Sequence, residues 1–71
     1  MFKECFTKNL KRAREECKYT QQYVADVLNT SRSNITKYET GQLEPNIEML
    51  GLLAELYNVS ADWLLGIKKT N

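Results

Sequence analysis

The chain has 71 residues, ten Lys or Arg side chains against nine Asp or Glu, and no His. This length allows one domain at most, and without imidazole there is neither a histidine acid or base nor a histidine zinc ligand. No apolar run approaches the roughly 18 residues of a membrane span, and the polar first ten residues lack the apolar centre of a signal peptide. We therefore expect a cytoplasmic protein.

The net charge of +1 is unevenly distributed along the chain. Residues 1–43 carry eight basic and five acidic side chains, whereas residues 44–71 carry two basic and four acidic ones. The sequence pI near 7.7 is lower than is usual for nucleic-acid binding domains, for which values above about 9 are typical. The N-terminal part is nevertheless the one expected to attract an anion.

Cys5 and Cys17 are the only two cysteines. Two thiols without His make a poor metal site, and a reducing cytosol disfavours a disulfide. We expect both thiols to be reduced and to act as small apolar side chains. The sequence therefore predicts no metal and no cofactor.

The apolar periodicity predicts helices throughout and no strand. The expected ranges are about residues 3–17, 21–28, 32–39, 47–57 and 61–65. Residues suited to N-caps precede the last four helices; these are Thr20, Ser31, Asn46 and Ser60. We predict an all-α fold, a compact five-helix bundle over residues 1–66, followed by a short flexible tail at 67–71.

The second and third predicted helices have the pattern of a helix-turn-helix. Two such helices cross closely only if the first has a small residue at the crossing, and Ala25 occupies that position. The turn needs a residue that accepts a positive φ, and Asn29 follows four positions later. Apolar residues on both helices supply the contact between them. They are Val24, Leu28, Ile35 and Tyr38.

The outward face of the third helix carries cations and hydroxyls but no acidic or aliphatic side chain. At roughly 100° per residue its members lie within about 140° of arc. They are Arg32, Ser33, Thr36, Lys37 and Thr40. Either cation alone could equally be an ordinary surface charge, but their shared face with three hydroxyls suits a groove lined with base acceptors and phosphates.

Five different segments between about residues 6 and 66 match one known sequence pattern, in the same order and with the same spacing. They are FxxxLxxxR from residue 6, TQQYVA from 20, SRSNITKYETG from 31, PNIEML from 45 and NVSADWLLG from 58. Each segment alone is a weak signal, but together they resemble the lambda-repressor-like, Cro/Xre-type DNA-binding domain. The chain departs from that pattern at Asn29, where Gly is usual, and at Leu43, where a basic residue is common.

The resemblance implies roles for particular residues. Base edges in the major groove would be read by Arg32, Ser33, Thr36 and Lys37. Phosphates would be contacted by Gln21, Ser31, Asn34, Thr40 and Gln42. Arg14 and Glu39 would form a structural ion pair that ties helix one to the end of helix three. Among the base readers, Arg32 is suited to a bidentate pair with guanine.

Helix four has more apolar surface than one core requires. A single core needs an apolar stripe of about 100° or slightly more, and this helix offers roughly twice that. The excess indicates a dimer surface. The candidates are Met49, Leu52 and Leu56, together with Trp63 of the fifth helix. The alternative is that helices one and five cover this face.

Together these features predict a sequence-specific, double-stranded DNA-binding transcriptional regulator. The expected form is a homodimeric repressor on a pseudo-palindromic operator, with no membrane, no small-molecule ligand and no enzymatic activity. The sequence has no His, no phosphate-binding Gly loop and no evident carboxylate pair, so an enzyme is disfavoured. The alternative is an antitoxin or co-regulator interaction module with the same fold, although the few residues after Gly66 offer little to wrap a toxin.

Overall fold

The computed structural model describes residues 1–67, which form five α-helices and no strand. The helices are α1 (Phe2–Glu16), α2 (Gln21–Val27), α3 (Arg32–Thr40), α4 (Ile47–Tyr57) and α5 (Ala61–Leu65). The prediction of an all-α five-helix bundle is confirmed, and each predicted boundary agrees to within one residue. Of the predicted tail, only Ile67 lies within the described residues, and it is exposed.

Side-chain caps explain why four of the helices begin where they do. The side chains of Thr20 and Ser31 accept backbone N–H bonds from Tyr23 and Asn34, at 3.0 and 3.1 Å. Asn46 and Ser60 cap α4 and α5 in the same way. Each cap satisfies an N–H group that has no partner inside the helix. The polar residues in these four positions therefore set the helix starts.

Residues in the left-handed conformation end the last three helices. Gly41 and Gly66 have φ of 81° and 82°, and Asn58 has φ of 56°. Gly66 is also needed for packing, because a Cβ there would lie 2.8 Å from the Cβ of Cys5. Lys18, between α1 and α2, has a φ of 63°. This last feature was not expected, since Lys rarely adopts that conformation.

One apolar cluster holds the helices together. α1 packs against α5 and α3, α2 packs against α3, and α4 packs against α5. The largest fully buried side chains in the cluster are Leu10, Ile35, Leu53, Leu64 and Val24. Ala25 is completely buried on α2, as its predicted place at the α2–α3 crossing requires. The core therefore fixes α2 and α3 against each other while the opposite face of α3 stays outside.

The hydroxyl of Tyr57 is buried in this core and has no hydrogen-bond partner within the described residues. Replacing Tyr57 with Phe is expected to leave the free energy of unfolding unchanged or to raise it by up to about 1 kcal/mol, because it removes an unpaired polar group. Urea unfolding followed by circular dichroism measures this. A loss of stability larger than about 1 kcal/mol would mean that the hydroxyl has a partner.

The same substitution should change how the free energy of unfolding depends on pH in the alkaline range. Burial raises the pKa of the Tyr57 hydroxyl above its usual value. The folded state therefore holds this proton to a higher pH than the unfolded chain does, and the stability of the wild type declines as pH rises beyond the unfolded pKa of about 10. The Tyr57→Phe variant has no hydroxyl to titrate and lacks this decline. Its stability should therefore fall less steeply than that of the wild type above that pH.

Candidate nucleic-acid interface

The segment from α2 through α3 has the geometry of a helix-turn-helix. The backbone N–H of Thr30 donates to the carbonyl of Ala25 at 2.9 Å and closes the end of α2. Asn29 turns the chain with a φ of 56°. Ser31 then caps α3. The turn is therefore made by local hydrogen bonds and one left-handed Asn, at the position where the sequence pattern predicts it.

α3 turns one face inward and leaves the other to solvent. Ile35, Tyr38 and Glu39 are buried. On the outer face Thr36 is partly buried, and the other side chains are exposed; these are Arg32, Ser33, Lys37 and Thr40. Asn34, beside this face, is also partly buried. None of the ion pairs within residues 1–67 involves Arg32 or Lys37. Both cations are therefore available to an external anion.

A buried ion pair fixes α3 to α1. Arg14 Nε and Nη2 donate to the two carboxylate oxygens of Glu39, at 2.7 and 3.1 Å. The two side chains are 11% and 3% exposed. Arg14 also donates to the carbonyl of Tyr19 at 2.9 Å. The hydrogen bonds to Glu39 raise the pKa of Arg14 above its usual value. The structure thus brings together the two residues that the resemblance paired.

Gln21 is joined to this pair, which sequence reasoning missed. Its Nε2 donates to Glu39 Oε1 at 3.1 Å, and its Oε1 accepts from the hydroxyl of Thr36 at 2.9 Å. A predicted phosphate contact and a predicted base reader are therefore bonded to each other. Thr36 and Glu39, three residues apart on α3, share a helix face; this spacing is the one signal that could have indicated a common partner.

The other predicted phosphate contacts differ in how free their side chains are. Ser31 uses its oxygen to cap α3. Asn34 Nδ2 donates to the hydroxyl of Thr30 at 2.9 Å. The hydroxyl of Thr40 donates to the carbonyl of Thr36 at 3.0 Å, so it must rotate before it can donate to a phosphate. Gln42 is exposed in the loop after α3.

The predicted dimer residues, three on α4 and Trp63 on α5, differ in how exposed they are. Trp63 is only 8% exposed and belongs to the core of the chain, with the guanidinium of Arg12 5.8 Å from its ring centroid. Met49 and Leu56 are partly buried against the same core. Ile47, which the sequence analysis did not single out, is 90% exposed. It lines an open groove along the outer side of α4. The other lining residues are Glu48, Gly51, Leu52 and Glu55.

The arrangement of α2, turn and α3 defines a helix-turn-helix protein. The sequence model of the family described as helix-turn-helix matches residues 10–64, well over half of the chain. The chain belongs to this family, in its Cro- and Xre-like form.

Three relatives illustrate the similarity. The HTH-type transcriptional regulator ImmR of Bacillus subtilis is 44% identical over 59 residues, which is 83% of this chain and 46% of that protein. The prophage-derived regulator YonR of the same organism is 40% identical over 60 residues, 84% of this chain and 56% of the relative. The regulator AnsR of that organism is 38% identical over 56 residues, 79% and 48% of the two chains. The chain spans about half the length of these curated relatives.

Two other kinds of feature are absent from residues 1–67. No helix in this range is long and apolar enough to cross a membrane. No group of three or more Cys, Asp or Glu side chains in the same range is placed to hold a metal ion.

Proposed function

We propose that this chain is the DNA-reading unit of a transcription regulator and binds double-stranded DNA sequence-specifically. The observation that carries the proposal is the outer face of α3, where Arg32 and Lys37 lie without an ion-pair partner among residues 1–67, beside three hydroxyl side chains. The buried Arg14–Glu39 pair holds that face in place. The relatives ImmR and AnsR are named transcriptional regulators, which supports the same function.

The mechanism follows from inserting α3 into the major groove. Base edges are then read by Arg32, Ser33, Thr36 and Lys37. Phosphates on either side are contacted by Gln21, Ser31, Asn34, Thr40 and Gln42. Phosphate contacts fix position and base contacts supply specificity. With a net charge of only +1, non-specific affinity should be modest and its salt dependence shallow. The function is binding rather than catalysis, carried out in the cytoplasm.

The regulator acts as a homodimeric repressor in this proposal. Ile47 and Leu52 are the apolar side chains of the open groove on α4, which Glu48 and Glu55 also line, and a chain of this size gains stability by burying apolar surface. A two-fold dimer presents two copies of α3 about 34 Å apart, the spacing of successive major grooves. A pseudo-palindromic site is the DNA counterpart of that symmetry. A dimer bound to such a site blocks a promoter that overlaps it.

Replacing Ile47 with Lys tests the dimer. Ile47 is 90% exposed, so the change should leave the protomer folded. In the dimer a charged side chain would replace the apolar contact of Ile47, and we expect dimerisation to weaken at least tenfold, since about 1.4 kcal/mol corresponds to a factor of ten. Sedimentation equilibrium measures the effect. Val27, 48% exposed on α2, gives the matched control Val27→Lys. Equal dimerisation constants for the two variants would contradict an interface on α4.

Selection from a random pool of duplexes tests the function as a whole. The expected result is an enriched inverted repeat with half-sites about 10 bp apart, centre to centre. Enrichment of a single, unrepeated half-site would contradict the homodimer but would still support sequence-specific binding by one copy of α3. No enrichment at low salt would contradict sequence-specific binding.

A further inference from the structure

A chain of hydrogen bonds runs from the buried ion pair to the outer face of α3. Arg14 Nη2 and Gln21 Nε2 both lie 3.1 Å from Glu39 Oε1. The other end of the Gln21 amide, Oε1, lies 2.9 Å from the hydroxyl oxygen of Thr36. This series of hydrogen bonds therefore runs from α1 to α3, then to α2, and back to α3 at Thr36, a residue proposed to read a base.

The direction of every bond in this chain is determined by chemistry. A guanidinium can only donate and an ionised carboxylate can only accept. Glu39 therefore requires the NH₂ end of the Gln21 amide to face it, so the amide oxygen must face Thr36. An amide oxygen can only accept. The hydroxyl of Thr36 consequently has to donate its single hydrogen inward, to Gln21.

This direction decides what Thr36 offers to a ligand. A hydroxyl has one hydrogen and two lone pairs, and the hydrogen of Thr36 is already used. What remains is an acceptor. Ser33, its neighbour on the outer face, is different, because its exposed hydroxyl makes no hydrogen bond within residues 1–67 and can turn to donate or accept. The two hydroxyls on one face are thus not equivalent.

We propose that Thr36 is an obligate hydrogen-bond acceptor that selects an exocyclic amine of the DNA, adenine N6 or cytosine N4, and that Gln21 and Glu39 are the positioning residues that impose this polarity. The inference rests on the proposed function, in which α3 enters the major groove. There N6 of adenine and N4 of cytosine are donors, whereas N7, guanine O6 and thymine O4 are acceptors that Thr36 cannot satisfy.

Base-pair preference alone does not test this, because every base pair has one amine and two acceptors in the major groove. The test is a double-mutant cycle between Thr36→Val and single-group deletions in the selected duplex. Purine in place of adenine, or 2-pyrimidinone in place of cytosine, removes one amine. A 7-deazapurine removes one N7 acceptor. Valine keeps the size of Thr36 and its methyl group and loses only the hydroxyl.

We expect Thr36→Val to weaken binding about fivefold on the intact duplex, the value of one hydrogen bond near 1 kcal/mol. On the duplex that lacks the contacted amine, the same substitution should have no further effect. Deleting an N7 group should leave the fivefold loss in place. Coupling of Thr36 to N7 or to a carbonyl, or no coupling to any group, would overturn the proposal. Ser33→Ala is the control for a hydroxyl of unfixed polarity.

Gln21→Leu tests the positioning role. Glu39 acts on Thr36 only through the Gln21 amide, whose Nε2 it holds and whose Oε1 takes the hydrogen of Thr36. Leucine at this partly buried position removes the acceptor, so the Thr36 hydroxyl can then donate or accept. Its coupling should no longer be restricted to an amine, which a purely structural role would not produce. Amine-only coupling in a folded variant, checked by circular dichroism, would overturn the positioning role, and Gln21→Met serves the same test if the leucine variant unfolds.

The proposed function can fail separately from this inference. If wild-type protein enriches no duplex, sequence-specific binding fails and the inference fails with it. If wild type has a preferred duplex and Thr36 couples to no amine, only the inference fails. The two results come from different measurements and cannot be confused.

Discussion

Replacing Arg14 with Met is expected to lower the free energy of unfolding by about 3–5 kcal/mol. The substitution leaves the carboxylate of Glu39, 3% exposed, without its cation, and removing one member of a buried pair costs about that much. A core of this size supplies no more than about 3–5 kcal/mol in total. The variant should therefore be largely unfolded at room temperature. Urea unfolding followed by circular dichroism measures the loss.

Arg12→Ala is the matched control for this experiment. Arg12 also pairs with a glutamate, Glu16, at 2.9 Å, but the two side chains are 65% and 62% exposed. An exposed pair contributes below about 1 kcal/mol, and the contact of Arg12 with Trp63 adds a similarly small amount. Losses of equal size in the Arg14 and Arg12 variants would contradict a special structural role for the buried pair.

Replacing Arg32 with Ala is expected to remove one base preference from the selected site. Arg32 is exposed at the first position of α3 and makes no ion pair within residues 1–67, so its guanidinium is free to meet guanine N7 and O6. Such a bidentate contact gives about 1–3 kcal/mol of discrimination, roughly 5- to 150-fold in affinity. Selection with wild type and variant side by side measures it. At one position per half-site the preference for guanine should disappear.

The two possible roles of Arg32 give different results. A side chain that contacts only phosphate would weaken binding to all duplexes alike and reduce the salt dependence. A side chain that reads a base would weaken binding to the preferred duplex and leave the others nearly unchanged. Arg12→Ala again serves as the control, because it removes the same charge from a side chain that lies over Trp63 of α5. A uniform loss in the Arg32 variant would contradict base reading.

The helix boundaries and the turn were predictable because their causes are local. A cap residue acts within one turn of helix, as at Thr20 and Ser31, and a left-handed Asn acts within two or three residues, as at Asn29. Apolar periodicity then identifies the inner face of each helix. The local pattern and the final packing agree in these parts of the chain, and the sequence was therefore sufficient.

The hydrogen-bond chain through Gln21 was not predictable in this way. The orientation of the Gln21 amide depends on Thr36, fifteen positions later, and on Glu39, which in turn is held by Arg14 of another helix. No local rule contains that arrangement. A glutamine at the start of a helix could as well have faced solvent. The sequence was enough to predict that these residues are functional, but their hydrogen bonds to one another could be found only in the tertiary structure.

α4 shows a second limit of prediction from sequence. Apolar periodicity gives the direction of each side chain around the helix axis, but not whether a neighbouring helix reaches that position along the axis. At 100° per residue Ile47 lies only about 20° around the axis from Ala54, which packs against the core, yet Ile47 is 90% exposed because it is the first residue of α4. Trp63, a predicted dimer candidate, is only 8% exposed because α5 packs on α1 and covers it. The extent of neighbouring helices decided both cases.

The most direct test of sequence-specific recognition by α3 is the ratio of two dissociation constants, for the selected duplex and for a scrambled duplex of the same composition. Fluorescence anisotropy at several salt concentrations gives both values. We expect the selected duplex to be bound at least about 10³-fold more tightly at physiological salt, and this ratio to change less with salt than either constant does. A ratio near one at every salt concentration would contradict such recognition.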